Sequence, residues 1–410
     1  MVGEVSARGP APFWGQQTRT LAGVSLAHWV SHVHLLTLPP LFPILKDLFN
    51  VGYVELGLSV TIFGIISGLT QAPMGFIVDR FGAKRILLAG LCLGGCAFIM
   101  LGLNPTYELF LIAAAIAGLA NCVYHPADYA ILSSALDDRR MGRAFSIHTC
   151  AGMAGGAMAP AIGLWIALQF GVGWALIVIG TFGPLVAIGL LLLRVPDSGG
   201  APGAVEGAGG RSTSKRRSVL SPAILALMLF FVLLSLSGGG MSAFGVAALQ
   251  SGYQVSLETA SLTLSFYLGA MAIGVLAGGL LADKTTRHGY IAAVCFAANA
   301  LLFLVVAVVP LPSLVLICTL TLAGFMSGLI APSRDMLVRR AAPPGASGRA
   351  FGIVSTGFNI GSIFGPMLFG FIMDQGAPSW LFGVSAFFML LTVLLATWTE
   401  RPEQRQPARS

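Results

Sequence analysis

Three polar residues on one predicted helix carry the sharpest chemistry in this 410-residue chain. Asn121, His125 and Asp128 stand at positions i, i+4 and i+7 of an otherwise apolar stretch, so they share one helix face. A charge deep in a membrane costs at least about 2.5 kcal/mol on insertion scales, so such a residue is expected to pair or to face a wet cavity. An imidazole, with an ordinary pKa near 6.5, suits a proton relay. The pattern predicts a proton site at Asp128 and His125.

A second segment of the chain repeats the pattern around this helix. The stretch from Gly118 to Gly163 is matched, 206 positions further on, by the stretch from Gly324 to Gly370. An offset of half the chain length indicates two homologous halves rather than short repeats. The offset matches Asp128 to Arg334, an arginine inside a predicted span, so the two charges are expected at equal depth in opposite halves.

Arg334 allows three interpretations. As a guanidinium in a cavity it favours a substrate that carries a carboxylate or a phosphonate. It could instead form a structural ion pair with Asp128, or be neutralised by its neighbour Asp335. We predict that Arg334 contacts an anionic substrate, and the two ion-pair interpretations remain open.

Other polar positions are expected near the same cavity. His28 and His32 share one face of the first span, but the histidines belong to spans and depths that do not converge in the sequence. We therefore predict no metal site. The remaining candidate substrate or proton positions are His32, His148, Tyr124, Gln71 and Asn359.

These residues need helices that cross a membrane. The chain is 56% hydrophobic and only 10% charged, whereas soluble domains average about 25% charged residues. Many apolar runs approach the roughly 20 residues that span a bilayer. We predict an all-α membrane protein with twelve spans, which start near Leu21, Val51, Ala83, Tyr107, Arg143, Val172, Ser221, Leu257, Tyr290, Ser313, Arg349 and Pro378.

The distribution of positive charge predicts the orientation. If both termini are cytoplasmic, all of the 23 Lys and Arg residues except Lys46 and Arg334 fall on the cytoplasmic side. This also accounts for the net charge of +7 without a nucleic-acid partner. The predicted organisation is a cytoplasmic segment 1–20, a six-helix half 21–194, a cytoplasmic linker 195–220, a second six-helix half 221–398 and a cytoplasmic tail 399–410.

A loop after the second span predicts a gate. It reads G-F-I-V-D-R-F-G-A-K-R from Gly75 to Arg85, with a weaker copy around Asp283. Gly75 is expected to let two helices approach closely, and Gly82 to permit a tight turn. Asp79 is expected to meet the positive N-terminus of the eleventh span. The predicted gating residues are Gly75, Asp79, Arg80, Gly82, Lys84, Arg85, Arg143, Asp283 and Arg349.

This loop, the twelve spans, the duplication and the central linker together resemble the major facilitator superfamily, and the resemblance covers the whole chain. The runs V-Y-H-P-A-D from Val123 and G-R-A-F-S from Gly142 resemble its fosmidomycin-resistance branch of bacterial exporters. Ala127 stands where that branch has a glutamate, and the acid follows as Asp128. The resemblance implies two six-helix halves related by a pseudo-twofold axis, a monomer in the bacterial inner membrane, and proton-driven export of a small, anionic organic compound.

Two other functions fit the same residues less well. A proton-coupled uptake symporter for an organic acid would use the same arginine. A histidine-based membrane enzyme or sensor is disfavoured because the sequence contains neither a soluble catalytic domain nor a convergent ligand motif. We predict no enzymatic activity, no catalytic residues and no cofactor. The expected partners are a small-molecule substrate, protons and the lipid bilayer.

Overall fold

The computed structural model describes residues 15–137, 140–197, 221–285, 287–343 and 347–399. Within these ranges the secondary structure is helical without strands, which confirms the predicted all-α class. Most of the predicted linker and of the two predicted terminal segments lies outside the described residues.

Thirteen helices and one short turn make up the described chain. The first half contains α1 (Gln16–Thr37), a 3-10 turn (Pro39–Leu41), α2 (Phe42–Phe49), α3 (Tyr53–Phe81), α4 (Ala83–Leu103), α5 (Tyr107–Ala135), α6 (Met141–Phe170) and α7 (Val172–Leu192). The second half contains α8 (Pro222–Tyr253), α9 (Leu257–Asp283), α10 (His288–Val308), α11 (Ser313–Ala341), α12 (Ser347–Asp374) and α13 (Pro378–Thr399).

Twelve segments of the described chain are long and apolar enough to cross a membrane, as predicted. The first of them combines α1, the 3-10 turn and α2, because prolines at positions 39 and 40 interrupt the helix there. A helix of 21 residues, such as α4, is about 31 Å long at a rise of about 1.5 Å per residue, which matches the hydrocarbon thickness.

The internal repeat is visible in the packing. Gly118 of α5 lies so close to α3 that a Cβ there would be 2.7 Å from the carbonyl oxygen of Phe63. Its counterpart Gly324 of α11 packs even more tightly on the backbone of α9 at Tyr267. The matching glycines therefore hold matching helix pairs together, since a side chain at either position would separate the two backbones.

The two halves meet through α3 with α12 and through α6 with α9. We call the end of the bundle that holds Gly82 and Leu193–Asp197 the linker face, and the end that holds Gly52 and Gly171 the opposite face. Near the opposite face, the backbone N–H groups of Tyr53 and Val54 donate to the carboxylate of Asp374, at 2.7 and 2.9 Å.

Two further hydrogen bonds between the halves lie about midway through the bundle. The Thr61 hydroxyl donates to the Ile363 carbonyl at 3.0 Å, and the Ala161 N–H donates to the Ser265 hydroxyl at 3.2 Å. Closer to the linker face, a Cβ at Gly75 of α3 or at Gly352 of α12 would meet nothing within 4 Å. The molecule is thus closed at the opposite face and parted at the linker face.

Candidate functional site

Asp128 lies in the interior of the first half, enclosed by α1 and α6. Its side chain is fully buried, with 0% exposure. Oδ2 lies 3.6 Å from Nδ1 of His28 and 3.5 Å from Nε2 of His148. Neither carboxylate oxygen has a hydrogen-bond partner among the described residues. Burying a charged carboxyl group without hydrogen bonds costs free energy. Asp128 can therefore be ionised only if the two imidazoles or a ligand supply a compensating positive charge or hydrogen bond.

Four of the five histidines of the first half, all except His34, lie close together beside this carboxyl group. The rings of His28 and His148 stack at 4.1 Å between centroids, and His28 lies 4.8 Å from His32 and 5.2 Å from His125. The expectation that the histidines do not converge is therefore wrong. It compared positions along separate spans, whereas the close packing of α1 on α6 brings residues of different spans to one point.

A glycine on α6 makes room for the cluster. The backbone of Gly152 faces His28 so closely that a Cβ at this position would collide with the imidazole ring. His28 consequently fills the space that a side chain of α6 would occupy. The approach of α1 to α6 continues at Gly155, which packs against the backbone of Trp29.

Two tyrosines of α5 flank the cluster. The Tyr129 ring lies 6.0 Å from the His125 ring and 5.9 Å from the His148 ring, and Tyr129 is 43% exposed. Tyr124 is buried, and its hydroxyl has no partner among the described residues. Of these two tyrosines, Tyr129 therefore reaches the surface, whereas Tyr124 is enclosed between packed helices.

Asn121 takes a different role from its neighbours on the helix. Its side-chain amide donates to the Ser67 hydroxyl at 2.9 Å, which ties α5 to α3. The predicted common face of Asn121, His125 and Asp128 is therefore divided between helix packing and the histidine cluster.

Arg334 does not approach Asp128 as an ion-pair partner. Its Nε donates to Oδ1 of Asp335 at 2.8 Å, and its guanidinium lies over the rings of Phe231 and Phe358, at 4.9 and 5.3 Å. Among the interpretations of Arg334, neutralisation by Asp335 is thus the one observed, and a structural pair with Asp128 is not. The guanidinium keeps 18% exposure and Asp335 keeps 48%, so a ligand can reach both.

The loop on the linker face has the predicted turn but a different ion pair. Gly82 has φ of 94°, a left-handed conformation that favours glycine, between the end of α3 and the start of α4. The carboxylate of Asp197 accepts from the Lys84 N–H at 3.3 Å and lies 3.7 Å from Nε of Arg85. The sequence analysis did not identify Asp197, which follows α7 and caps α4 within the same half.

The other predicted gating contacts are not made in this conformation. A Cβ at Gly75 would meet nothing within 4 Å, so the expected close approach is absent here, because the halves are parted at the linker face. Asp79 is exposed and has no hydrogen bond or ion pair with a described residue of α12. The Arg80 guanidinium lies 5.3 Å from the Phe81 ring, Arg143 and Asp283 are exposed, and the side chain of Arg349 lies outside the described part of the chain.

Three remaining polar residues lie away from the cluster. Gln71 is exposed on α3, and Asn359 is exposed on α12, where its amide faces Gly68 across the boundary between the halves. His34 packs on Phe98 at 4.8 Å, and its Nε2 is 3.2 Å from the Ile179 carbonyl, which makes it a structural histidine.

Sequence reasoning missed Asp374, although it joins the halves. No local pattern identifies it, because its partners Tyr53 and Val54 lie more than three hundred residues away. An acid at the end of a span is common, and only the fold brings this one to the N-terminus of α3.

Comparisons with known proteins agree with this architecture. The fosmidomycin resistance protein of Escherichia coli (strain K12) is 24% identical over 384 residues, which cover 91% of each chain. Multidrug resistance protein 1 of Bacillus subtilis (strain 168) is 24% identical over 345 residues, covering 82% of this chain and 85% of that protein.

A solved structure shares the fold. The bacterial homologue of the human lysosomal transporter Spinster, in an inward-facing and unoccupied conformation, has a TM-score of 0.73 at 16% identity and covers 95% of this chain and 96% of that one. The family model described as Major Facilitator Superfamily matches residues 24–320 and 228–410. The chain is therefore a transporter that belongs to the Major Facilitator Superfamily.

Proposed function

We propose that this transporter exports a small, anionic organic compound in exchange for protons, by alternating access. The observation that carries the proposal is Asp128, a fully buried acid whose ion-pair partners among the described residues are two imidazoles, those of His28 and His148. A carboxyl group in this setting can be protonated and neutral, or ionised and paired with a protonated histidine. In the proposal, the change from one protonation state to the other alters the packing of α1 on α6. In the proposal Asp128 and His125 carry the proton.

The direction and the substrate class rest on separate observations. Both relatives are named as resistance proteins, which favours export. Arg334 supports an anionic substrate because its guanidinium remains partly exposed. The Arg334 Nε donates to the Asp335 carboxylate at 2.8 Å, so a substrate carboxylate or phosphonate would exchange places with that side chain.

The orientation follows from the positive charges at the linker face. We propose that the linker face and both termini are cytoplasmic and that the protein works as a monomer in the inner membrane of a bacterium. The described conformation then faces inward. Closure of the cytoplasmic side would bring Asp79 to the N-terminus of α12, with the basic residues of the Gly75–Arg85 loop and Arg143, Asp283 and Arg349 around it.

Transport in proteoliposomes under an imposed pH gradient tests the proposal. Small carboxylates and phosphonates would be screened with wild type, with Asp128→Asn and with Arg334→Gln. Asp47→Asn, which removes an exposed acid of α2, is the matched control. We expect substrate to move opposite to protons in wild type and in the control, and both site variants to lose this exchange.

Each contrary result removes a different part of the proposal. Movement of substrate together with protons would make the protein an uptake symporter. Anion transport by Arg334→Gln at the wild-type rate would reduce Arg334 to a structural partner of Asp335. Exchange by Asp128→Asn at the wild-type rate would remove Asp128 from the coupling.

A further inference from the structure

The cluster around Asp128 offers three potential metal ligands from three helices. They are Nδ1 of His28 on α1, a carboxylate oxygen of Asp128 on α5, and Nε2 of His148 on α6, and all three atoms lie within 4.8 Å of one another. The side chains have 5%, 0% and 1% exposure. None of these ligand atoms has a hydrogen-bond partner among the described residues.

We propose that His28, Asp128 and His148 bind a divalent first-row transition-metal ion, for which Zn²⁺ is the best fit. Zn²⁺ binds imidazole nitrogen and carboxylate oxygen at about 2.0–2.2 Å in a tetrahedron, so two of its ligand atoms lie about 3.3–3.5 Å apart. The Asp128 oxygen is 3.6 Å from the His28 nitrogen and 3.5 Å from the His148 nitrogen. Two edges of the tetrahedron are thus already close to the required length. The third edge, between the two imidazole nitrogens, is bounded only at 4.8 Å, and the stacked rings of His28 and His148 must turn apart for both nitrogens to face one ion.

The identity of the ligand atoms selects the kind of ion. Two imidazoles and one carboxylate suit Zn²⁺, Co²⁺ and Ni²⁺, whereas Ca²⁺ and Mg²⁺ prefer sites built from oxygen. A divalent ion would also satisfy three of the five unpartnered polar atoms of these side chains, which lowers the penalty of burying them. The rings of His32 and His125, 4.8 and 5.2 Å from His28, lie near enough to supply a fourth ligand after a rotation, or a water molecule can fill that position.

The metal site does not depend on the substrate or the direction of transport. It stands on the geometry of the cluster alone. The ion and the proton of the proposed exchange are alternatives at the same carboxylate, so an ion in this position blocks proton uptake by Asp128. Zn²⁺ would accordingly inhibit proton-coupled transport from within the first half.

Metal binding to the purified full-length protein tests the inference. After removal of any histidine tag and treatment with a chelator, the protein in detergent would be titrated with Zn²⁺ by calorimetry, and bound metal would be counted after desalting. We expect one Zn²⁺ per chain, at least a tenfold loss of affinity in Asp128→Asn and in His148→Gln, and wild-type binding in His34→Gln. The last is the matched control because His34 is a buried histidine of α1 outside the cluster.

Several results would overturn the inference. They are the absence of bound Zn²⁺ in wild type, unchanged affinity in Asp128→Asn, or an equal loss in His34→Gln. If a site variant is not monodisperse, the wild-type protein loaded with Co²⁺ decides: the intense visible absorption of a tetrahedral ion supports the site, and a weak octahedral spectrum or no binding rejects it. These assays contain neither substrate nor a pH gradient, so their failure is distinct from a failure of the proposed transport.

Discussion

Asp374 is expected to set the balance between the two open states of the carrier. Its carboxylate accepts two backbone N–H groups at the N-terminus of α3, at 2.7 and 2.9 Å, across the boundary between the halves. These bonds exist only while the opposite face is closed. Their removal must therefore favour the conformation in which the opposite face is open.

The size of the shift follows from the contact. A carboxylate that caps a helix N-terminus contributes about 0.5–2 kcal/mol, and the charge adds about 0.3–1 kcal/mol through the helix dipole. Asp374→Asn keeps one acceptor oxygen, and the site is exposed, so we expect a loss of about 1 kcal/mol, close to a fivefold change in the equilibrium constant.

Pulsed electron paramagnetic resonance can measure this change. Spin labels on cysteines introduced at Ser146 of α6 and Leu280 of α9, in a background without the native cysteines, would report the separation of the halves near the linker face. Both positions are exposed. We expect Asp374→Asn to raise the ratio of short to long distances about fivefold.

The matched control is Asp47→Asn, which removes an exposed acid of α2 from the same end of the bundle. An unchanged ratio in Asp374→Asn would refute the reasoning. An equal shift in Asp47→Asn would assign the effect to the general charge of that face and not to the cap.

Two further substitutions test the surroundings of the two interior charges. Gly152→Ala is expected to displace the His28 ring and so move a ligand atom, which should lower the Zn²⁺ affinity measured by calorimetry about tenfold. Gly156→Ala is the control and should lower the Zn²⁺ affinity less, since its Cβ would meet the flexible end of Leu36 at 3.0 Å. Equal losses of affinity in the two variants would contradict this account. Phe358→Leu removes one aromatic face from Arg334 and should lower stability by about 0.5–2 kcal/mol in thermal unfolding. Phe371→Leu, an exposed position of the same helix, is its control, and an equal loss there would show that the cation–π contact contributes nothing.

Much of the fold could be predicted because it depends on patterns within single helices. The predicted starts at Ala83, Tyr107, Val172, Leu257 and Pro378 coincide with the first residues of observed helices. The length of each apolar run and the positions of glycine and proline are local properties of the sequence. The spans can therefore be located without knowledge of the tertiary structure. The 206-residue repeat predicted the two homologous halves, and the resemblance to the superfamily implied the pseudo-twofold axis that relates them.

The candidate site could be predicted only in part. The face of α5 indicated Asp128 and His125, but the convergence of His28 and His148 depends on how closely α1 and α6 pack, which Gly152 decides. Likewise, the sequence shows that Arg334 is a charge within a span. Its contact with Phe231 of α8 could not be predicted, because it joins helices that are far apart in the sequence. Such contacts are set by helix rotation and packing, and no periodicity within one helix contains that information.

The matched positions of Asp128 and Arg334 have an evolutionary consequence. After the duplication, one interior position became an acid among histidines and its copy became a base among aromatic rings, each served by its own pair of flanking helices. Neither copy borrows side chains from the other. In the proposed division of roles, Arg334 contacts the substrate and Asp128 takes the proton. Substitutions of the base and its aromatic neighbours would then change the compounds that are recognised and leave the acid unaltered. A carrier divided in this way can acquire new cargo by changes in one copy alone.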